Sequence, residues 1–236
     1  MNTRRISTAA LVGASLLLII GLTACGSEEP AASGSVVLAD VSESADATEL
    51  QNNASNAFVA AVNDLDAPGK ATLFAFNTQV GSSPCEPVVA TLTWDENSTT
   101  VEDNKKELVA AAPSAVSPYF DCVEQNVDAP GTDIFGGIAE AANILASTPG
   151  DKTIVLVTDG CNNSYDTDTC SIQVVDQAWR TERLDALPSS MKPDLSGVTL
   201  EVVGLGRGAD INSAQVQGLK SFFNEYAEVT NAAYAD

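Results

Sequence analysis

The stretch "VVLADVSESADATEL", residues 36–50, decides how this chain is read. Its first four residues are apolar, as in a strand buried on both faces of a sheet. Oxygen-bearing side chains then occupy every second position: Asp40, Ser42 and Ser44. Alternation in an extended segment throws all three to one side. "DATE", residues 46–49, has the arrangement of a capping box and predicts the start of a helix. Leu50, Ala54, Ala57, Phe58, Ala61, Val62 and Leu65 share one face of that helix. The same Asp and Ser residues would also suit a plain turn and helix cap. Their meaning depends on what else reaches the end of the strand.

The rest of the chain alternates strand and helix, with no internal repeat. Strands are predicted over residues 70–80, 87–94, 152–160 and 197–206, and helices over 99–112, 132–147, 171–187 and 211–232. Residues 113–131 read as loop, and "APG" at 67–69 stops the first helix. Such alternation implies an α/β fold, a Rossmann-like doubly wound and mostly parallel sheet flanked by helices. Ligands of these sheets gather at the carboxyl ends of the strands. Asp40 ends the first strand, and Asp159 ends the "TIVLVTD" strand.

Composition narrows the function. The 236 residues hold 11 Lys and Arg against 32 Asp and Glu, a formal charge of −21. A nucleic-acid partner needs a basic footprint, so none is expected; attraction for cations is. The absence of His removes His-dependent triads and His-ligated zinc.

The N-terminus reads as a targeting segment. "MNTRR" is basic, and the apolar run behind it is shorter than the roughly 20 residues of a membrane span. "LTAC", residues 22–25, resembles the lipobox of bacterial lipoproteins, in which the Cys is acylated and becomes the first residue. That implies a signal peptide over 1–24, a lipid on Cys25, a flexible tether over 25–34 and a domain over 35–236, held extracytoplasmically at the cell membrane.

With Cys25 lipidated, four of the 5 Cys remain. An even number in an oxidising compartment suggests two disulfides. Of three possible pairings, Cys85–Cys122 and Cys161–Cys170 are expected, because the members of each pair share an inter-element region. A thiolate metal site does not suit these spacings.

Asp40, Ser42 and Ser44 in the first loop, Thr132 before the 132–147 helix, and Asp159 in "TDG" could together ligate a cation at the crest of the sheet. Hard oxygen donors point to Mg²⁺ first, with Mn²⁺ or Ca²⁺ as alternatives. Asp-x-Ser-x-Ser after a first strand, Gly-Thr-Asp before a later helix and Thr-Asp-Gly after a buried strand resemble the von Willebrand factor A-type (vWA) domain and its metal-ion-dependent adhesion site. The resemblance runs from about Ser35 to the C-terminus. It implies direct Ser and Thr contacts to the metal, Asp carboxylates acting partly through water, and an acidic residue of a partner protein completing the shell. Such a domain is a binding module, not an enzyme. The family usually carries a sixth strand and a further helix; here about five strands are expected.

Other readings are available. The domain could be an accessory or assembly subunit of an envelope complex with a structural metal. "SSMK", residues 189–192, matches Ser-x-x-Lys of penicillin-binding enzymes, which would make it an envelope hydrolase, but the companion Lys-Thr-Gly is absent. "GLGRGA", residues 204–209, fits Gly-x-Gly-x-x-Ala, but no strand is expected after it to complete a dinucleotide unit. "CNNSYDTDTC", residues 161–170, holds Asp166 and Asp168 without a full calcium-loop pattern and reads as a stapled loop overhanging the crest.

Overall fold

A computed structural model describes residues 29–42, 47–78, 84–126, 131–207 and 209–235. Cys25, the 1–24 segment, Ser44 and Asp46 lie outside the described residues. The central strand β1 (Ser33–Asp40) is nearly all buried, as its apolar run requires. It pairs in parallel with β2 (Gly69–Phe76), from Ser33 opposite Gly69 to Asp40 opposite Phe76. On its other side it pairs in parallel with β4 (Lys152–Val157), from Gly34 opposite Lys152 to Ala39 opposite Val157. β1 starts two residues before the expected domain boundary, so Ser33 and Gly34 belong to the sheet and not to the tether. Their amides donate to Pro68 and Asp151 carbonyls at 3.0 and 2.9 Å.

The sheet has six strands, not five, in the order β3-β2-β1-β4-β5-β6. β3 (Val88–Leu92) runs antiparallel to β2, while β5 (Val198–Val203) and β6 (Ala233–Ala235) continue the parallel side. The extra strand exists because the last helix, α5 (Ser213–Val229), stops before residue 232. The Thr230 hydroxyl donates to the Tyr226 carbonyl at 2.8 Å, and Asn231 turns the chain at a φ of 60°. Ala232 N–H then closes on the Ala227 carbonyl at 2.8 Å, a helix-terminating exchange of partners that delivers residues 233–235 to the sheet edge.

Strand alternation divides the apolar residues between two cores. Val37 and Ala39 face α1 (Ala47–Asn63) and α2 (Ser98–Asn126), packing with Phe58, Val62 and Phe120. Val36 and Leu38 face α3 (Ile134–Leu145) and α5, packing with Phe135, Ile138 and Phe222. The predicted face of α1 is buried except for Ala57, which is half-buried.

Two helical expectations need correction. α2 runs through Pro113, Pro118 and Cys122, where a loop was expected. Each proline removes a helix hydrogen bond. Burial of Ala112, Val116, Tyr119, Phe120 and Val123 along one side holds the helix together regardless. Tyr119 also accepts the Ala75 N–H, on a stretch of β2 beyond its pairing with β3. Residues 171–187 are not one helix but a 3₁₀ turn (Ile172–Val175) and α4 (Gln177–Ala186). Asp176 separates them, accepting from Ala178 N–H at 2.8 Å as an N-cap.

Both expected disulfides are present, Cys85–Cys122 and Cys161–Cys170, and they suit an oxidising, extracytoplasmic compartment. No helix among the described residues is long and apolar enough to cross a membrane. The chain leaves β1 toward β2 on one side and returns through β4 on the other. The carboxyl ends of β1 and β4 therefore flank the crevice where the strand order reverses.

Candidate metal centre

Register builds the centre of this crevice. Ala39 lies opposite Val157, so the next residues on each strand, Asp40 and Thr158, come side by side. Both continue the alternation that faces α3. The Thr158 hydroxyl donates to Asp40 Oδ2 at 2.6 Å and accepts from Gly160 N–H at 3.0 Å. Asp40 Oδ1 accepts from Ser42 N–H at 3.0 Å. Asp40 is 1% exposed. Burial pushes its carboxyl up to about 6; the Thr158 and Ser42 hydrogen bonds pull it down, and the charge of Asp159 adds a further push upward.

The Asp40 carboxylate thus closes a local side-chain contact onto the Ser42 backbone, and Ser42 is buried beside it. Ser44 lies outside the described residues.

Asp159 sits two residues past the end of β4 and is fully buried. Its Oδ1 accepts from Cys161 N–H at 2.8 Å, and its carbonyl accepts from Gly206 N–H at 2.7 Å. Gly160 carries the turn at a φ of 88°, where a Cβ would stand 2.7 Å from Leu205 Cδ2. Thr132, 1% exposed, stands two residues before α3, whose N-cap is Asp133. Its backbone N–H donates to Asn163 Oδ1 at 2.9 Å, which ties it to the chain four residues beyond Asp159.

Asp40, Ser42, Thr132 and Asp159 thus come from three separate segments to one end of the sheet. Two buried carboxylates and two buried hydroxyls could hold a hard cation, and a positive charge there would relieve the burial of Asp40. Among the described residues no group of three or more His, Cys, Asp or Glu gathers as a metal cluster; the candidate set relies on hydroxyls for its remaining donors. None of the ion pairs among the described residues includes Asp40.

Several residues that shape this end of the sheet escaped sequence reasoning. Thr158 is one, although it stands directly before Asp159. Asn162, Asn163, Ser164 and Tyr165 are the others; their signal was a run of small polar residues inside a disulfide loop. Asp168 closes a local turn, accepting from Cys170 N–H at 3.1 Å. Lys192 of "SSMK" donates to the Leu184 and Asp185 carbonyls at 3.0 and 3.2 Å, at the end of α4. A strand, β6, does follow "GLGRGA", where none was expected. Yet α5 begins only at Ser213, so the glycines do not open the helix as a dinucleotide fingerprint would.

A scan against protein-family models finds no match, and no curated protein matches the chain.

Proposed function

We propose that this chain is a vWA-type binding module that engages an acidic group of a partner protein through a divalent cation at Asp40, Ser42, Ser44, Thr132 and Asp159. The observation that carries the reading is convergence. Segments 92 and 27 residues apart in sequence — Asp40 to Thr132, and Thr132 to Asp159 — carry hydroxyls and carboxylates to the same end of the sheet, where the strand order reverses. The sixth strand adds support, because the expected departure from the family's strand count is gone. The buried Asp40–Thr158 pair adds more, since it holds one carboxylate rigidly at the crest.

The chain's own residues would divide the work. Thr158 and Ser42 N–H orient Asp40, Cys161 N–H orients Asp159, and Ser42, Ser44 and Thr132 offer neutral oxygens. Bound there, the cation supplies an electrophile for an incoming carboxylate, because neutral donors leave its charge incompletely balanced. Mg²⁺ is the first candidate, with Mn²⁺ and Ca²⁺ next.

A lipid on Cys25 belongs to the same reading. β1 starts eight residues later at Ser33, so the tether would join the sheet at the end opposite the crest. The test is calorimetric titration of the oxidised protein with MgCl₂, MnCl₂ and CaCl₂, beside the Asp40→Ala variant. Binding by the parent and loss in the variant is expected. A folded parent that binds none of the three ions would end this reading.

A further inference from the structure

Sheet ladders set Asp40 and Asp159 relative to each other, since β1 and β4 are hydrogen-bonded neighbours. No ladder reaches Thr132, which stands two residues before α3, a helix packed against one face. Something else has to fix it, and the stapled loop 161–170 does so through four consecutive residues. Asn163 Oδ1 accepts from Thr132 N–H at 2.9 Å. Asn163 N–H and the Ser164 hydroxyl both donate to the Thr132 carbonyl, at 3.3 and 2.9 Å. Asn162 Oδ1 accepts from Ile134 N–H at 3.0 Å, the first amide of α3. The Tyr165 hydroxyl donates to Asp133 Oδ2 at 3.0 Å.

The loop is itself held from within. Asn162 is buried, and its Nδ2 donates to the Ser164 and Thr167 carbonyls, both at 2.9 Å. Asn162 and Thr169 exchange further hydrogen bonds, beside the Cys161–Cys170 bridge. Gly131 completes the fit from the other side. It has a φ of 96°, and a Cβ there would stand 2.8 Å from Asn163 Oδ1. The close approach of Asn163 to the Thr132 backbone depends on that missing side chain.

We propose that Asn162, Asn163 and Ser164 are positioning residues for Thr132, and that the stapled loop thereby sets the affinity of the crest for a divalent cation. This rests on the cation reading above. Groups that orient metal ligands typically change affinity by about 10–100-fold when removed, and both the backbone N–H and the carbonyl of Thr132 are held by this loop.

The experiment compares the oxidised parent, the Asn163→Ala/Ser164→Ala double variant and Asn163→Asp. Each is titrated with MnCl₂, and backbone amide exchange at Thr132 and Ile134 is followed without metal. The double variant is expected to bind Mn²⁺ at least about tenfold more weakly, with faster exchange at Thr132 and an unchanged exchange pattern in β4 and β5. Asn163→Asp keeps the acceptor and is expected to restore protection of the Thr132 amide. A purely structural loop would lower overall stability without this local and affinity-specific pattern. If the double variant does not fold, Ser164→Ala alone leaves one donor on the Thr132 carbonyl and should give a smaller loss of affinity. Parent-like Mn²⁺ affinity in a folded variant whose Thr132 amide exchanges freely overturns the proposal alone. A parent that binds neither Mn²⁺ nor, in the same titration, Mg²⁺ or Ca²⁺ overturns the cation reading and this proposal with it.

Discussion

Replacing Asp40 by Asn tests the electrostatics of the crest most directly. The Asp40 carboxyl is raised from an ordinary 3.8 to about 6, chiefly by burial. At about 1.4 kcal/mol per tenfold change, that rise corresponds to about 3 kcal/mol. A raised acid favours the folded state while it is protonated. Its contribution is full below pH 3.8 and is lost as pH rises through about 6. The metal-free parent therefore carries a buried charge at pH 7.5 that it does not carry at pH 4. Asn has the same shape and no charge. It can keep the Ser42 N–H contact through Oδ1, but it loses the acceptor for Thr158, at a cost of about 1 kcal/mol. In EDTA at pH 7.5, Asp40→Asn should be about 2 kcal/mol more stable than the parent; at pH 4 only the lost Thr158 hydrogen bond remains, and the variant should be about 1 kcal/mol less stable. Saturating Mg²⁺ at pH 7.5 should stabilise the parent, by about 2.7 kcal/mol at a hundredfold excess over Kd, and leave the variant unchanged. Urea unfolding at both pH values, with disulfides intact, reads all three quantities. A variant destabilised equally at pH 4 and 7.5 would refute the argument, because Asp40 would then carry no buried charge.

Three other substitutions probe the surroundings. Thr158→Val removes the hydroxyl between Asp40 and Gly160 N–H; it should cost about 1–3 kcal/mol in chemical unfolding and weaken cation binding about tenfold in calorimetry. Gly160→Ala places a Cβ at a positive φ and against Leu205, so its thermal midpoint should fall by several degrees, with a loss above about 1 kcal/mol. Arg180→Ala, away from the crest, removes a mostly buried guanidinium that bonds Glu225 at 2.7 Å and two backbone carbonyls; about 3–5 kcal/mol should be lost in unfolding, with Mg²⁺ affinity unchanged.

Much of this molecule was legible in its residues because the signals are local. Continuous apolar runs marked β1 and β4, period-3.6 patterns marked α1 and α3, and the position of Asp40 and Asp159 at strand ends followed from where the apolar runs stop. Both disulfide pairings were also named, but only Cys161–Cys170 is local, at a separation of 9; Cys85 and Cys122 are 37 apart, and β3 and most of α2 lie between them, so they do not share one inter-element region as expected. Long-range partners were invisible. α2 continues through two prolines because of burial against the sheet and α1, and a window of sequence containing Pro113 and Pro118 carries only the penalty. The sixth strand depends on a three-residue segment, Ala233–Ala235, whose pattern means nothing until β5 offers it an edge.

The crest divides the same way. Residue type and spacing determined which oxygens could serve: Asp40, Ser42, Ser44, Thr132 and Asp159 are named by motifs only a few residues long. Tertiary structure decided how they are held. The Asp40–Thr158 hydrogen bond spans 118 residues and exists only because parallel register sets Ala39 against Val157. The Thr132–Asn163 hydrogen bond spans 31 and exists only because a disulfide-closed loop lies over the start of α3. A sequence records donors and acceptors one at a time; their pairing across such separations is set by the packing of the whole sheet and its helices.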